Sequence, residues 1–323
     1  MPSLVAHAVK LTARLTIKHD PVSADALVKH LRVHMNKPPL PTVMPRGVRL
    51  DRVREAPVRY ERLTVKRPRQ ALLYLHGGGY VCGKTRTYHN LCSRLAKQLD
   101  AEVWLPDYRL APEHPFPAAI EDATATFERM LEAGFTPEQI TIAGDSAGGG
   151  LALGTLMSLR DRRRPLPRCA VLLSPLTDLR LVHESVTEND ATDWMLGTSM
   201  LAMGHGLYTR TPEDTLHPYA SPALGDFHGL PPLYITVCEQ ECLRDDAYAV
   251  AKAARRARVS VTLRARPDLL HVWPILVPVM PEAREDLARI AQFIRSTETS
   301  AARTSTTTRA RGTATVTARD SAD

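Results

Sequence analysis

Residues 144–148 read Gly144-Asp145-Ser146-Ala147-Gly148, which fits the pattern G-x-S-x-G. The apolar run 139–143 predicts a strand before this pattern, and residues 147–160 predict a helix after it. A serine at such a strand-to-helix turn projects its hydroxyl into a cleft, and the glycines on either side prevent side-chain clashes at the turn. The stretch therefore predicts that Ser146 is a nucleophile at the end of a strand.

Strand and helix signals alternate on both sides of this turn. Residues 71–75 (ALLYL) are wholly apolar, as expected for a strand that is buried on both faces of a sheet. Further strand signals lie near 102–105, 169–173, 232–237 and 260–265, and helical signals lie near 87–99, 117–133, 245–257 and 282–295. This order predicts an α/β fold with a mostly parallel sheet that is covered by helices.

Two segments interrupt the alternation. Residues 1–47 predict two helices and a proline-rich linker, and residues from about 178 to 229 are rich in His, Thr, Met and Asp. We expect both segments to fold over the sheet as a helical cap. The predicted organisation is therefore 1–47 as N-terminal cap helices, 48–296 as a catalytic domain that contains the cap insert, and 297–323 as a disordered tail without apolar periodicity.

The chain is basic only in its first part. Residues 1–70 contain 15 Lys and Arg against 5 Asp and Glu, a net charge of +10, whereas the whole chain of 323 residues carries +7, so the remainder sums to −3. Because no motif for reading nucleic acid accompanies this charge, we predict no nucleic-acid partner. Two interpretations stay open: a solvated basic face, or a peripheral contact between the amphipathic stretch 1–18 and an anionic membrane surface.

The sequence gives no sign of a membrane span or a secretion signal. It has no run of 18 apolar residues, and Lys10, Arg14 and Lys18 interrupt any apolar core of a signal peptide. Its five cysteines are scattered and predict neither a disulfide framework nor a zinc site. We therefore expect a cytoplasmic protein, with membrane contact limited to the peripheral kind.

A run of glycines follows the buried strand at residues 71–75. It reads His76-Gly77-Gly78-Gly79-Tyr80. Glycines at this place allow backbone N–H groups to approach a developing oxyanion, together with the N–H of the residue after the nucleophile. The amides of Gly78, Gly79 and Ala147 are therefore the candidate oxyanion hole.

A serine nucleophile needs a base and an acid that orients the base, and in folds of this kind the chain order is serine, acid, histidine. His271 is the candidate base, because it lies in a short loop after the last strand signal, whereas the other downstream histidines (His183, His205, His217 and His228) precede the penultimate strand. The acid should follow the strand near 232–237, where the candidates are Glu239, Glu241, Asp245 and Asp246. Asp245 and Asp246 stand at a helix start, where capping explains them, and position alone only favours Glu241.

Three motifs together resemble the bacterial branch of the hormone-sensitive-lipase-like esterases. They are HGGGY (76–80), GDSAGG (144–149) and DYRLAPE (107–113), and the similarity extends from about residue 70 to 295. The resemblance implies an α/β-hydrolase core of eight strands with a helical cap, and hydrolysis of short- to medium-chain acyl esters. It also implies that no cofactor is needed, and it suggests a homodimer.

The resemblance also assigns site residues. The serine of the family falls on Ser146, and its histidine falls on His271 in a Pro-x-x-x-His string. Its acid is usually the first Asp of Asp-Pro-Leu-x-Asp, which corresponds here to Glu241-Cys242-Leu243-Arg244-Asp245. Glutamate replaces aspartate at the first position, so Glu241 is the implied acid and Asp245 is the alternative.

Other functions compete with ester hydrolysis. Residues 78–85 also fit the P-loop pattern G-x-x-x-x-G-K-[ST], which would suit a nucleotide-binding protein but would leave Ser146 and His271 unexplained. A ligand-binding relative without activity would use the same fold, although such proteins lose the histidine that this chain retains. A lactone hydrolase or an acyltransferase would use the same three residues as an esterase.

Overall fold

An eight-stranded sheet forms the centre of the computed structural model, which describes residues 2–35, 42–54, 58–83 and 86–313. The strands are β1 (Arg49–Val53), β2 (Tyr60–Thr64), β3 (Gln70–Leu75), β4 (Ala101–Pro106), β5 (Ile140–Asp145), β6 (Cys169–Leu173), β7 (Leu233–Cys238) and β8 (Val261–Arg266). Their spatial order is β1-β2-β4-β3-β5-β6-β7-β8. Strand β2 pairs antiparallel with both β1 and β4, and all other neighbouring strands are parallel. The prediction of a mostly parallel α/β sheet is confirmed.

The central strands are largely apolar because both of their faces are covered. Every residue of β3, β4, β5, β6 and β7 is buried, whereas the edge strands β1 and β8 keep partly exposed positions. Strand β3 lies between β4 and β5 in the sheet, so the chain runs to one side of β3 to form β4 and then to the other side to form β5. Sheets of this kind bind ligands in the crevice that such a reversal opens at the carboxyl ends of the strands.

Ten helices accompany the sheet in the described part of the chain. They are α1 (Leu4–Thr16), α2 (Ala24–Met35), α3 (Arg86–Leu99), α4 (Ala118–Glu132), α5 (Ala147–Asp161), α6 (Ser185–Glu188), α7 (Thr198–Tyr208), α8 (Pro212–Leu216), α9 (Arg244–Arg256) and α10 (Pro281–Thr313). Helix α3 packs against α10, and α4 packs against α5. Among the described residues, no helix has both the length and the apolar character needed to cross a membrane.

The two segments that interrupt the alternation of strands and helices lie together. Helix α2 of the N-terminal segment packs against α7 of the insert between β6 and β7. Arg14 donates a hydrogen bond to the carbonyl of Ala191 (3.0 Å), and Lys18 donates one to the carbonyl of Asp193 (2.9 Å). The N-terminal segment (residues 2–35) and the insert (residues 178–229) are together called the cap below.

The sequence predicts a disordered tail from residue 297 onward, and the structure describes a helix that extends past that residue. Helix α10 runs without a break to Thr313, and the remaining residues 314–323 lie outside the described part of the chain. Its first half buries Ala283, Leu287 and Ile290 against the core. A helix that is nucleated by such packing gains one hydrogen bond for each further residue, and no proline interrupts it between 297 and 313.

Candidate active site

Ser146 occupies a strained turn between β5 and α5. Its backbone has φ 52° and ψ −124°, a conformation that costs a non-glycine residue about 1–3 kcal/mol. The turn is held because the Ser146 amide donates to the carbonyl of Leu173 (2.8 Å) and the Ser146 carbonyl accepts from the amide of Leu176 (3.0 Å). A Cβ atom at Gly148 would overlap the carbonyl oxygen of Leu75, so only glycine lets α5 start this close to β3. The serine hydroxyl thus stands at the carboxyl edge of the sheet.

The three amides predicted to form an oxyanion hole have free N–H groups. Within the described residues, no acceptor receives a hydrogen bond from the amides of Gly78, Gly79 or Ala147. Gly78 has φ 115°, and a Cβ atom there would overlap the Sγ of Cys82. Gly78 and Gly79 line the same cavity as Ser146. These amides are therefore available to an oxygen atom bound next to the serine.

Asp145 holds the glycine run in place, a role that the sequence does not reveal. This carboxylate is 2 % exposed and accepts hydrogen bonds from the amide of Gly77 (3.1 Å) and from the hydroxyls of Tyr74 (3.0 Å) and Tyr88 (2.9 Å). Burial raises the pKa of Asp145 to about 6, although these hydrogen bonds partly oppose the shift. The only available sequence signal is an acid at the end of an otherwise apolar strand.

His271 and Glu241 form a buried pair at the same edge of the sheet. The Nδ1 atom of His271 lies 3.4 Å from Oε2 of Glu241, which is an ion-pair contact and slightly longer than a close hydrogen bond of about 3 Å. The side chains are 3 % and 1 % exposed, and His271 lines the cavity that contains Ser146. Because Glu241 lies at Nδ1, the other ring nitrogen of His271 remains for the serine side of the site.

Burial and charge act in opposite directions on this pair. Burial by itself lowers the pKa of His271, but the negative charges of Glu241, Asp193 and Asp145 outweigh it, so the pKa is raised above its usual value. Burial raises the pKa of Glu241, and the neighbouring His271 and the hydroxyl of Ser174 partly oppose that shift. These charges make His271 a better proton acceptor than an ordinary imidazole, which suits a general base.

Ser174 connects the loop of the acid to the loop of the histidine, and sequence reasoning missed it. Its hydroxyl donates to Oε2 of Glu241 (2.9 Å) and accepts from the amide of Val272 (3.2 Å), the residue after His271. The residue is fully buried directly after β6, and its amide donates to the carbonyl of Thr236 on β7 (2.8 Å). Ser174 is therefore a positioning residue for the histidine–carboxylate pair.

We expect Ser174→Ala to lower kcat/KM by about tenfold with little change in KM. The substitution removes one donor from Glu241 and leaves the Val272 amide without its acceptor, and an unmade buried hydrogen bond costs about 1–3 kcal/mol. The matched control is Ser158→Ala, because Ser158 is equally buried and its hydroxyl has no partner among the described residues. Steady-state kinetics with a p-nitrophenyl ester measure both; equal losses in the two variants would remove the special role of Ser174.

The cap also contacts the loop that contains Glu241. Asn189 donates to the carbonyl of Glu241 (2.9 Å), and the carboxylate of Asp193 accepts from the amide of Cys242 (2.8 Å). Asp193 is 1 % exposed and also accepts from the amides of Met195 (2.8 Å) and Leu196 (2.9 Å). The cap and the acid loop are thus held together by buried hydrogen bonds.

The other candidate acids have partners elsewhere. Asp245, the alternative acid, pairs with Arg244 (2.8 Å) and accepts from the amide of Ser185 (2.9 Å). Glu239 accepts from the hydroxyl of Tyr248 (2.7 Å), and Asp246 accepts from the amide of Thr177 (2.6 Å). Of the four candidates, Glu241 is the one in an ion-pair contact with His271 within the described residues.

The other histidines downstream of Ser146 lie beside residues other than Glu241. His183 lies 3.7 Å from Asp178, His228 lies 2.6 Å from Asp226, and the ring of His217 packs beside Phe116. His205 lines the cavity from α7.

The cavity next to Ser146 has a volume of about 90 Å³ and is mainly apolar. The cap supplies Ile17, Leu31, Met200 and part of the wall on α7, and Met195 adds to it from the preceding loop. A lining of this kind favours the apolar part of a bound molecule.

Lys84 and Thr85 of the P-loop pattern lie outside the described residues. In its first part, the amides of Val81 and Cys82 both donate to the carbonyl of Gly78 (3.1 Å each). These two amides are therefore not free to bind phosphate oxygens, as a P-loop requires.

The sheet order and the strained serine turn together define the α/β-hydrolase class. Comparison with protein families matches residues 72–275 to the family described as alpha/beta hydrolase fold. An acetyl-hydrolase of Streptomyces hygroscopicus is 44% identical over 227 residues, which cover 70% of this chain and 76% of the relative. An esterase of Acinetobacter venetianus is 32% identical over 259 residues, which cover 80% and 84% of the two chains.

Solved structures support the same family assignment. An esterase from the bacterial hormone-sensitive lipase family matches with a TM-score of 0.84 and 34% sequence identity, over 92% of this chain and 99% of that one. The chain therefore belongs to the α/β-hydrolase family, within the branch of bacterial hormone-sensitive-lipase-like esterases. The resemblance stated from the three sequence motifs is confirmed, and with it the class of carboxylic ester hydrolases.

Proposed function

We propose that the chain is a serine carboxylesterase that cleaves short- to medium-chain acyl esters with the triad Ser146, His271 and Glu241. The observation that carries the proposal is the common cavity: the strained serine, the buried histidine and two glycines with free amides all line it. The name of the Streptomyces relative, an acetyl-hydrolase, adds support for a small acyl group.

The chemistry follows from the geometry. Ser146 Oγ attacks the ester carbonyl carbon while Nε2 of His271 takes the hydroxyl proton, and the amides of Gly78, Gly79 and Ala147 stabilise the negative oxygen that forms. The carbon–oxygen bond to the alcohol then breaks, and His271 returns the proton to the departing alcohol. A water molecule attacks the acyl-enzyme in the same manner and releases the acid. Glu241 keeps the imidazole oriented and stabilises its cation.

We expect a series of p-nitrophenyl esters from acetate to palmitate to give a maximum of kcat/KM at the short end, near acetate to butyrate. The physical reason is the cavity volume of about 90 Å³, which Met200 limits from the cap. Met200→Ala should move the maximum toward longer chains. Met203→Ala is the matched control, because Met203 lies on the same helix but does not line the cavity. A maximum at palmitate in the unmodified enzyme would contradict the proposal and point to a lipase.

A further inference from the structure

Helix α1 carries its leucines on the outside. Leu4, Leu11 and Leu15 are 88 %, 54 % and 76 % exposed, whereas the opposite face buries Ala6, Lys10 and Ala13. With 3.6 residues per turn, the three leucines form one straight stripe about 16 Å long at 1.5 Å per residue. The stripe Leu4–Leu11–Leu15 is called the leucine stripe below. An apolar stripe of this kind on the outer surface marks an interaction site.

The orientation of α1 is fixed by polar contacts on its inner side. Ser3 donates to the carboxylate of Glu282, and the ammonium group of Lys10 donates to the carbonyl of Asp268 (3.0 Å). Arg14 and Lys18 bind carbonyls of the insert, as described above. Turning the leucines inward would break all of these contacts, so the outward stripe is a stable property of the fold.

Exposed apolar side chains are concentrated in this part of the molecule. Among the described residues, eight of the eleven large hydrophobic side chains that are exposed lie between residues 4 and 44, including Val22 at 90 % and Val33 at 42 %. Ile17 and Leu31 in the same segment line the active-site cavity. The exposed apolar side chains and two residues of the cavity wall therefore belong to the same part of the chain.

The charge around the leucine stripe defines its partner. Residues 2–19 contain no carboxylate side chain. Lys10 is buried on the inner face, so the cations near the stripe are Arg14, which is exposed, and Lys18, which is half-buried. Both donate to carbonyl groups of the insert, and among the described residues no carboxylate forms an ion pair with either of them. In a symmetric pair of copies each stripe would face itself and bring these cations together, which is unfavourable. An apolar helix face with basic flanks suits the boundary between headgroups and acyl chains of an anionic membrane.

We propose that the leucine stripe of α1 docks the enzyme on an anionic lipid surface, with the cap next to the bilayer. An ester that partitions into the bilayer would then reach the cavity from the side of Ile17 and Leu31. The proposal concerns binding and is independent of whether the triad assignment is correct.

The test is co-sedimentation of the full chain with vesicles. One set is neutral phosphatidylcholine, and the other also contains anionic phosphatidylglycerol. We expect partition at least about tenfold stronger on the anionic vesicles, weakened by added salt, and reduced about tenfold or more by the double substitution Leu11→Ser and Leu15→Ser. The Ser146→Ala protein should bind as the unmodified enzyme does, which separates docking from hydrolysis.

Leu216→Ser is the matched control, because Leu216 is 55 % exposed on α8 beside the acidic residues Glu213 and Asp214. Leu216→Ser should leave vesicle binding unchanged. Hydrolysis of p-nitrophenyl acetate in vesicle-free buffer should be unchanged both in Leu216→Ser and in the double variant Leu11→Ser and Leu15→Ser. Equal partition on neutral and anionic vesicles, or binding that survives the double substitution, overturns the proposal. So does the conversion of a dimer into a monomer by that substitution, measured by light scattering, because the stripe would then bind a second copy.

Discussion

Replacement of Ser146 by alanine is expected to lower kcat/KM for p-nitrophenyl butyrate by about 10⁴-fold or more, in line with the loss of the nucleophile in other serine hydrolases. The strained turn holds this hydroxyl in the cavity that Gly78 and Gly79 also line, and the proposed mechanism uses no other nucleophile. The fold should survive, since the turn is held by the backbone of Ser146 through Leu173 and Leu176.

Two measurements check this expectation. Steady-state hydrolysis gives the loss of activity, and labelling with a fluorophosphonate probe should disappear in Ser146→Ala and persist in Ser158→Ala, the buried serine of α5 outside the site. Persistent labelling of Ser146→Ala would mean that another residue is the nucleophile.

The second large effect is expected for Glu241→Gln, with a loss in kcat/KM of about 10³-fold, because an amide cannot hold the imidazole in the correct tautomer or stabilise its cation. The matched control is Asp245→Asn. Asp245 is the alternative acid of the sequence motif, but its carboxylate contacts Arg244 and Ser185 and should contribute little to catalysis. A larger loss for Asp245→Asn than for Glu241→Gln would reverse the assignment of the acid.

The pH profile gives an independent measure of the same contact. His271 must be neutral to accept a proton, and the charges of Glu241, Asp193 and Asp145 raise its pKa against the effect of burial. Activity should therefore be lost as the pH falls through that raised pKa and recovered as the pH rises. Removal of the charge in Glu241→Gln should move the acidic midpoint of the profile to lower pH. An unchanged midpoint would argue that Glu241 does not act on His271.

The sequence predicted well what depends on neighbours along the chain. The apolar runs became the buried central strands, because a strand covered on both faces has few positions that tolerate a polar side chain. The serine turn was predictable for a similar reason, since Gly144 and Gly148 are needed within the same few residues as Ser146.

Roles that depend on contacts across the sheet were not predictable. Ser174 follows β6, Glu241 follows β7 and Val272 follows β8, and only the parallel order of these strands brings the three together. Asp193 likewise accepts a hydrogen bond from the amide of Cys242, which is distant in the chain, and no local sequence pattern predicts this contact.

The construction of the cap from two distant parts of the chain has a consequence for biosynthesis. Helices α1 and α2 leave the ribosome early, yet α7, on which α2 rests, ends only at Tyr208. Isolated helices of about this length are marginal in water. Until α7 has been synthesised, which requires about two thirds of the 323 residues, the amino-terminal segment therefore has no docking partner, and the cap cannot assemble over Ser146.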